Sequence, residues 1–189
     1  MKGLYPLLPL VISMIEIEIK ARADHDGVIK ALKAAGASFE KTADQADIFY
    51  NAPDRDFGKT DEALRIRHQG SAVYLTYKGK KLDKVSKTRK EIEVQVSDRQ
   101  KMEDILLSLG FRKTYSVFKK RDIYHLMGAE VCVDRVEGLG DFVELETIAE
   151  DMTEMEKKRD ELISLMRSLG IEGELIRESY LEMLLKKST

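Results

Sequence analysis

Residues 15–20, I-E-I-E-I-K, alternate isoleucine with charge, and this alternation constrains the fold more than any other feature of the chain. Successive side chains of a β-strand point to opposite faces. Glu16, Glu18 and Lys20 therefore share one face of a strand, and the three isoleucines share the other. An ordinary half-buried strand would turn such charges to solvent, so this segment alone leaves a surface role and a functional role open.

The same two-residue period recurs along the chain and gathers charges of both signs. If all these strands turn their charged faces together, seven basic side chains meet seven acidic ones. The basic set is Lys20, Arg65, Arg67, Lys78, Arg89, Lys119 and Arg121, and the acidic set is Glu16, Glu18, Glu91, Glu93, Asp134, Glu144 and Glu146. Because buried charges must be paired or ligated, such a surface is costly to build for stability alone. A closed antiparallel barrel with a polar, ligand-holding interior accounts for it.

Composition favours one compact domain. The 189-residue length falls in the single-domain range, 43% of residues are hydrophobic, and no low-complexity linker divides the chain. The formal net charge is −2, so we expect no general attraction to nucleic acid or to an anionic membrane. The single cysteine, Cys132, excludes an internal disulfide and lies between two valines of a predicted strand, where an inert thiol is expected. We predict a cytoplasmic location.

The first thirteen residues are treated separately, because they contain the apolar run L-Y-P-L-L-P-L-V-I. Pro6 and Pro9 interrupt this run, it is too short to span a bilayer as a helix, and it lacks a small-residue cleavage site. We therefore predict an N-terminal extension over residues 1–13, with translation beginning at Met14, and a single domain over residues 14–189. Mass spectrometry of the native protein tests the start site, and a peptide containing Leu7 and Leu8 would exclude a start at Met14.

The rest of the pattern predicts strands interspersed with helices. Beyond the first strand, strands are expected over residues 46–51, 63–69, 72–78, 90–96, 118–125, 130–136 and 142–148. Helices are expected from Asp24 or Asp26 to Gly36, and over residues 97–110, 153–170 and 179–187. Gly70 and Ser71 predict a tight hairpin turn. Residues 54–62 and the basic run 79–89 are expected to be loops, and the basic run could also close over a polyphosphate, with Arg89 as its anchored contact.

Six pieces of the sequence, taken in order, resemble one known family. They are E-I-E-I-K, A-L-R-I-R, Y-L-T-Y-K-G, R-K-E-I-E-V, F-K-K-R-D-I-Y and V-D-R-V-E-G-L-G-D-F-V-E-L-E. In this order they resemble the CYTH domain, or triphosphate tunnel enzymes, over nearly the whole chain after Met14. The pieces Y-N-A-P, V-E-G-L-G-D-F and S-Y-L-E-M-L-L are more similar to the class IV adenylyl cyclase branch than to animal thiamine triphosphatases. The resemblance implies an α+β fold built on a closed eight-stranded antiparallel β-barrel with flanking helices.

The resemblance also implies roles for the charged residues. Glu16, Glu18, Glu144 and Glu146 would hold metal, with Asp134 as a further candidate, and the seven basic residues would bind phosphates. Catalytic roles fall on Glu18, Glu144, Lys20 and Asp134. An oxygen-only ligand set without His or Cys favours Mg²⁺ or Mn²⁺. The alternative to these roles is that a charged residue only forms a cross-strand ion pair. This alternative weighs most for Glu91, Glu93 and Glu146.

Three functions remain open from the sequence. The first is a class IV adenylyl cyclase, a phosphorus–oxygen lyase that converts ATP to cyclic AMP and pyrophosphate. The second is a phosphohydrolase of tripolyphosphate, thiamine triphosphate or a nucleoside triphosphate. The third is a noncatalytic module that binds polyphosphate or nucleotide. The expected partner is ATP or another triphosphate, and the leucine-rich last helix could pack on its own barrel or on a second subunit of a homodimer.

Overall fold

The computed structural model describes residues 15–82 and 88–187. Within these ranges the strands are β1 (Ile15–Arg22), β2 (Ser38–Asn51), β3 (Ala63–Gln69), β4 (Ala72–Lys81), β5 (Arg89–Val96), β6 (Arg112–Leu126), β7 (Ala129–Val136) and β8 (Gly140–Ala149). The helices of the same ranges are α1 (His25–Ala34), α2 (Phe57–Thr60), α3 (Arg99–Ser108), α4 (Met152–Ser168) and α5 (Tyr180–Lys187).

The strands close into one antiparallel barrel in the order β1-β5-β4-β3-β2-β6-β7-β8. The register places Glu18 opposite Glu146 and Lys20 opposite Glu144 across the β1–β8 pair. Ile17 and Ile19 point the other way, into an apolar core that α1 and α4 cover from outside the barrel. The predicted closed eight-stranded antiparallel barrel with flanking helices is confirmed.

The long outer helices begin where the sequence supplies a cap. The Asp24 side chain accepts a 2.7 Å hydrogen bond from the Gly27 amide at the start of α1, and Asp151 accepts from the Thr153 amide at 2.7 Å at the start of α4. Such side chains satisfy amides that the first helical turn leaves without partners. Each helix then presents an apolar face to the barrel, with Leu32 and Leu162 among the buried residues.

Two strands begin well before their predicted starts. β2 begins at Ser38 and β6 at Arg112, whereas the sequence pattern predicted strands from residues 46 and 118. The two strands pair with each other along most of their length, with a register shift between Phe39 and Lys41. Their first halves are largely polar and exposed, so they lack the apolar alternation on which the prediction depended. Pairing with a neighbouring strand satisfies their backbone groups regardless of that pattern.

The prediction of a loop over residues 54–62 is wrong in its middle, where α2 forms a single turn. The Asp56 side chain accepts a hydrogen bond from the Gly58 amide, and Phe57 is buried beside Leu64 and Leu106. A single turn is too short to show a helical period in sequence. Phe57 is the one large apolar residue in a polar segment, so no pattern indicated that it is buried. Phe57 ties this segment to the barrel.

The C-terminal helix α5 lies on the barrel of its own chain. Tyr180 and Leu184 are buried with Phe49, Val117 and Phe142. In the described part of the chain, no helix is long and apolar enough to cross a membrane. The predicted extension over residues 1–13, the start at Met14, and Lys84 and Lys87 of the basic run lie outside the described residues.

Candidate active site: a charged cavity inside the barrel

A cavity of about 520 Å³ opens inside the barrel and is lined by charges of both signs. This volume is in the usual range for small-molecule sites. Twelve of the fourteen predicted charged residues line it: Glu16, Glu18, Arg65, Arg67, Lys78, Arg89, Glu91, Glu93, Lys119, Arg121, Glu144 and Glu146. The other two, Lys20 and Asp134, are fully buried beside it. The shared parity of the strands therefore does bring the charged faces together.

Three carboxylates form a compact group, which we call the acidic cluster: Glu16, Glu18 and Glu146. One oxygen of each lies within 4.8 Å of one oxygen of each of the others. β1 supplies two of these side chains from alternate positions, and β8 supplies the third opposite Glu18. Oxygen donors at this spacing, with neither imidazole nor thiolate among them, suit a hard divalent cation such as Mg²⁺ or Mn²⁺.

The electrostatics of the acidic cluster support this fit. Burial and the neighbouring Glu16 raise the pKa of Glu146 to about 8, against the opposing effect of Arg121. Burial also raises the pKa of Glu16, and Lys78 only partly opposes this. Carboxyl groups with raised pKa values carry mutual repulsion and desolvation that a bound cation would relieve.

Glu144 lies among cations rather than in the acidic cluster. Its carboxylate accepts a hydrogen bond from Arg121 and lies 3.8 Å from the Lys20 ammonium and 3.9 Å from that of Lys119. Glu144 and Glu146 share one face of β8, yet the register assigns them different neighbours. The metal role implied for Glu144 stays a prediction, and in this structure its carboxylate fixes basic groups.

Asp134 is the centre of a buried network beside the cavity. It accepts hydrogen bonds from Arg121 Nε at 2.7 Å, Arg121 Nη2 at 2.6 Å, Lys119 Nζ at 3.0 Å and Tyr180 Oη at 2.9 Å. Burial raises the pKa of Asp134, but Arg121 and Lys119 outweigh it and hold that pKa below its usual value. A carboxylate with this many donors is positioned to orient Arg121 and Lys119, and it does not line the cavity itself.

Lys20 is also enclosed. Its ammonium donates to the backbone carbonyl of Glu178 and lies 4.1 Å from the centre of the Tyr180 ring. It is absent from the cavity lining. The phosphate-binding and catalytic roles predicted for Lys20 stay predictions, and the structure places its charge just behind Glu144.

Asp47 is a central residue that sequence reasoning did not identify as part of the site. It accepts from Arg67 Nε at 2.6 Å and Nη2 at 2.7 Å, and from Arg65 Nη1 at 3.2 Å. Burial is the largest single influence and raises the pKa of Asp47, but Arg67 and Arg65 together outweigh it, so the net shift is strongly downward. Gln45 and Asp47 alternate with Ala46 and Ile48, and this period could have revealed the inward position. The two guanidinium groups are thus fixed before any ligand arrives.

This arrangement predicts a pH-dependent contribution to stability. A carboxyl with a lowered folded-state pKa stabilises the fold above its unfolded pKa of about 4, and loses that contribution as pH falls below it. Asp47→Asn should therefore lower the free energy of unfolding most near neutral pH, and the difference from wild type should shrink in acid. Urea denaturation of both proteins over a pH series measures this. A difference that stays constant down to pH of about 3 would contradict it.

The remaining charges of the lining are partly paired. Lys78 forms an ion pair with Glu91, its cross-strand neighbour, and Glu93 accepts a 2.8 Å hydrogen bond from the Thr76 hydroxyl. For Glu91, the structure shows the cross-strand ion pair that the sequence left open as an alternative to a role in the site. Arg89, at the start of β5, lies 3.8 Å from Asp61.

A second carboxylate-containing group lies in exposed and half-buried positions on β2, β6 and β7. Glu40, His125 and Glu130 each have a ligand-type atom within 4.8 Å of the others. His125 Nε2 lies 2.8 Å from Glu40, an exposed ion pair if the imidazole is protonated. Glu130 faces Glu146 across the β7–β8 pair and so extends the row of carboxylates beyond the acidic cluster.

Comparison with known proteins assigns this barrel to a family. The family model of the CYTH domain matches residues 14–180. The chain belongs to the CYTH domain family. The sequence resemblance that the six motifs carried is thereby confirmed.

Two CYTH relatives have names that refer to one activity. A protein of Methanocaldococcus jannaschii, named as a candidate adenylate cyclase, is 45% identical over 172 residues, which cover 90% of this chain and 98% of the relative. The adenylate cyclase CyaB of Aeromonas hydrophila is 30% identical over 171 residues, which cover 87% of this chain and 86% of the relative. This chain therefore spans nearly the full length of the first relative and most of the second.

Two solved structures share the CYTH barrel. A Pyrococcus horikoshii protein is 41% identical and superposes with a TM-score of 0.85, covering 91% of this chain and 99% of its own. A Hippeastrum protein, described as a candidate adenylyl cyclase with a dominant triphosphatase activity, is 20% identical with a TM-score of 0.68. That alignment covers 92% of this chain and 96% of the Hippeastrum chain, and it establishes likeness of fold alone.

Proposed function

We propose that this CYTH chain is a metal-dependent enzyme acting on a triphosphate, and that its reaction converts ATP to cyclic AMP and pyrophosphate. One observation carries the proposal. The acidic cluster and six of the seven predicted basic side chains line a single cavity inside a closed barrel. A ligand that is itself anionic and that travels with a divalent cation satisfies both sets at once.

The basic side chains suit the phosphates. Guanidinium groups bind phosphate oxygens bidentately, and ammonium groups act as point charges. Arg65 and Arg67 are held in place by Asp47, and Arg121 is held by Asp134. Groups that are fixed before binding lose little conformational entropy when the ligand arrives.

The acidic cluster suits the cation. Glu16, Glu18 and Glu146 would hold Mg²⁺ or Mn²⁺, and Glu144 remains a predicted further ligand. When bound, such an ion supplies Lewis-acid polarisation of phosphate oxygens and offsets the charge of the substrate. Without it, the carboxylates would weaken the binding of a triphosphate to the basic side chains, so a noncatalytic binding module would bind better without the acidic cluster. This favours an enzyme over the binding module.

The choice of reaction depends on which phosphorus meets the nucleophile. In the cyclase reaction, the ribose 3′-oxygen forms a bond to the α-phosphorus, and the bond from that phosphorus to the bridging oxygen breaks to release pyrophosphate. In the alternative, water attacks the terminal phosphorus and releases orthophosphate. The names of the two relatives support the cyclase, and the description of the Hippeastrum protein supports the triphosphatase as the second candidate. One fold can carry both reactions.

Phosphorus NMR of the purified protein separates the candidates. The protein with Mg²⁺ or Mn²⁺ is offered ATP in one tube and tripolyphosphate in another. Cyclic AMP with pyrophosphate from ATP would support the cyclase, and orthophosphate from tripolyphosphate, with ATP untouched or trimmed only at its terminal phosphate, would replace it with the triphosphatase. Binding of either compound without turnover would favour the noncatalytic module.

A further inference from the structure

The C-terminal helix contributes a side chain to the charged site through its first residue, Tyr180. The residue is 8% exposed, and it lines the cavity. Its position is set by reciprocal hydrogen bonds at the start of α5. The Glu182 amide donates to Ser179 Oγ at 3.1 Å, and the Ser179 amide donates to the Glu182 carboxylate at 2.5 Å. This capping box fixes the first turn of the helix and therefore the direction of the Tyr180 side chain.

Two buried ammonium groups make cation–π contacts with the Tyr180 ring. The Nζ atoms of Lys20 and Lys119 lie 4.1 Å and 5.1 Å from the ring centre. Burial lowers the pKa of Lys119, and so does the nearby Arg121. The negative face of an aromatic ring attracts an ammonium group without adding a formal charge. A carboxylate in the same place would hold the lysines equally well but would repel a phosphate, so the ring stabilises the cations while preserving the positive potential of the site.

The Tyr180 hydroxyl binds the carboxylate of the network, Asp134. It donates to Asp134 Oδ2 at 2.9 Å, the same oxygen that accepts from Arg121 Nη2 and Lys119 Nζ. With a neutral donor on this oxygen, the carboxylate is shared among three groups. Removing that donor leaves Asp134 free to draw the two cations more strongly toward itself and away from the cavity.

We propose that Tyr180 is a positioning residue for the phosphate-binding side of the cavity, acting through Lys119, Arg121 and Asp134. The inference rests on the proposed function, since it requires that these basic groups bind phosphate. Tyr180 contacts Asp134, Lys20, Lys119 and Phe142, and its link to the acidic cluster runs through Arg121, whose Nη1 lies 3.5 Å from a Glu146 oxygen. Loss of the hydroxyl should therefore weaken phosphate binding and change cation binding much less.

Two equilibrium measurements on the full-length protein test this separation. Calorimetry measures the affinity for tripolyphosphate in the absence of divalent cations, and electron paramagnetic resonance measures the affinity for Mn²⁺ alone. For Tyr180→Phe, which keeps the ring, we expect tripolyphosphate affinity to fall about 10-fold and Mn²⁺ affinity to change less than about 2-fold. Tyr180→Leu, which also removes the ring, should lose more tripolyphosphate affinity than Tyr180→Phe.

Leu184→Ala is the matched control. Leu184 is buried one turn later on the same helix and in the same apolar cluster. This variant should lower the melting temperature and leave both affinities unchanged, because Leu184 packs α5 on the barrel and does not line the cavity. If Leu184→Ala weakens tripolyphosphate binding as much as Tyr180→Phe does, general docking of α5 explains the effect and the inference fails.

The remaining outcomes are also decisive. Equal tripolyphosphate affinity in wild type and Tyr180→Phe would overturn the role of Tyr180 and leave the proposed function standing. A parallel loss of both affinities in Tyr180→Phe would also overturn it, because the phosphate side would not be affected selectively. A wild-type protein that binds neither probe would overturn the proposed function and the role of Tyr180 together.

Discussion

Glu18→Gln is expected to lower turnover of the triphosphate substrate by about 100-fold or more, because stabilisation by a catalytic metal ion amounts to several kcal/mol. The substitution keeps the size of the side chain and removes one of the three carboxylates of the acidic cluster. The concentration of Mn²⁺ needed for half-maximal activity should rise in parallel. Initial rates measured over a range of Mn²⁺ concentrations give both values.

The effect of the same substitution on stability is expected to be small next to its effect on turnover. The like charge of Glu18 is one of the causes that raise the pKa of Glu146 to about 8. Removing this charge relieves repulsion, which offsets part of what the fold loses with the other interactions of the buried Glu18 side chain. A loss of activity far larger than the loss of stability distinguishes a ligand from a structural residue.

Glu130→Gln provides the matched control for Glu18→Gln. Glu130 lines the same cavity and faces Glu146 across the β7–β8 pair, but it lies outside the acidic cluster. Its substitution should change the Mn²⁺ requirement much less than Glu18→Gln does. Wild-type turnover and wild-type Mn²⁺ dependence in Glu18→Gln would remove Glu18 from the assignment.

Asp134→Asn is expected to lower the free energy of unfolding by about 3–5 kcal/mol, the usual effect of removing one partner from a buried ion pair. Asp134 has no exposed surface, and its carboxylate compensates Arg121 and Lys119 together. The amide keeps the volume but leaves two enclosed cations with less counter-charge. Guanidinium denaturation followed by circular dichroism measures the change.

Asp141→Asn is the control for Asp134→Asn. Asp141 is in β8 and lies 3.8 Å from Arg135 at the surface, where its side chain is 37% exposed. An ion pair of that kind contributes little, so the free energy of unfolding should change by less than about 0.5 kcal/mol. If Asp134→Asn is as mild as Asp141→Asn, the buried network does not depend on the Asp134 charge.

Much of the charged interior could be predicted because strand geometry is local. The two-residue period in I-E-I-E-I-K determines which side chains share a face without any knowledge of the neighbouring strands. For that reason Glu16 and Glu18 were assigned inward from sequence, and Arg65 and Arg67 likewise. The family resemblance then supplied the closure of the barrel and the number of its strands.

The contacts between these residues could not be predicted in the same way, because they depend on register. Whether Glu144 or Glu146 joins the acidic cluster is decided by their places opposite Lys20 and Glu18 on β1. Asp47 has the right parity, yet only the pairing of β2 with β3 shows that it holds two arginines. Tyr180 was interpreted as part of a leucine-rich helix, since no local pattern shows that its hydroxyl reaches β7.

The distance along the chain between β1 and β8 has a consequence for folding. Glu16 and Glu18 are near the start of the described chain, and Glu146 is on the last strand of the barrel. The acidic cluster therefore forms only when the β1–β8 pair forms, and so non-local a pairing is slow relative to local contacts. A ribosome-bound chain that ends before β8 would lack the third carboxylate of the acidic cluster. Binding of Mn²⁺ during refolding would thus report when the first and last strands of the barrel meet.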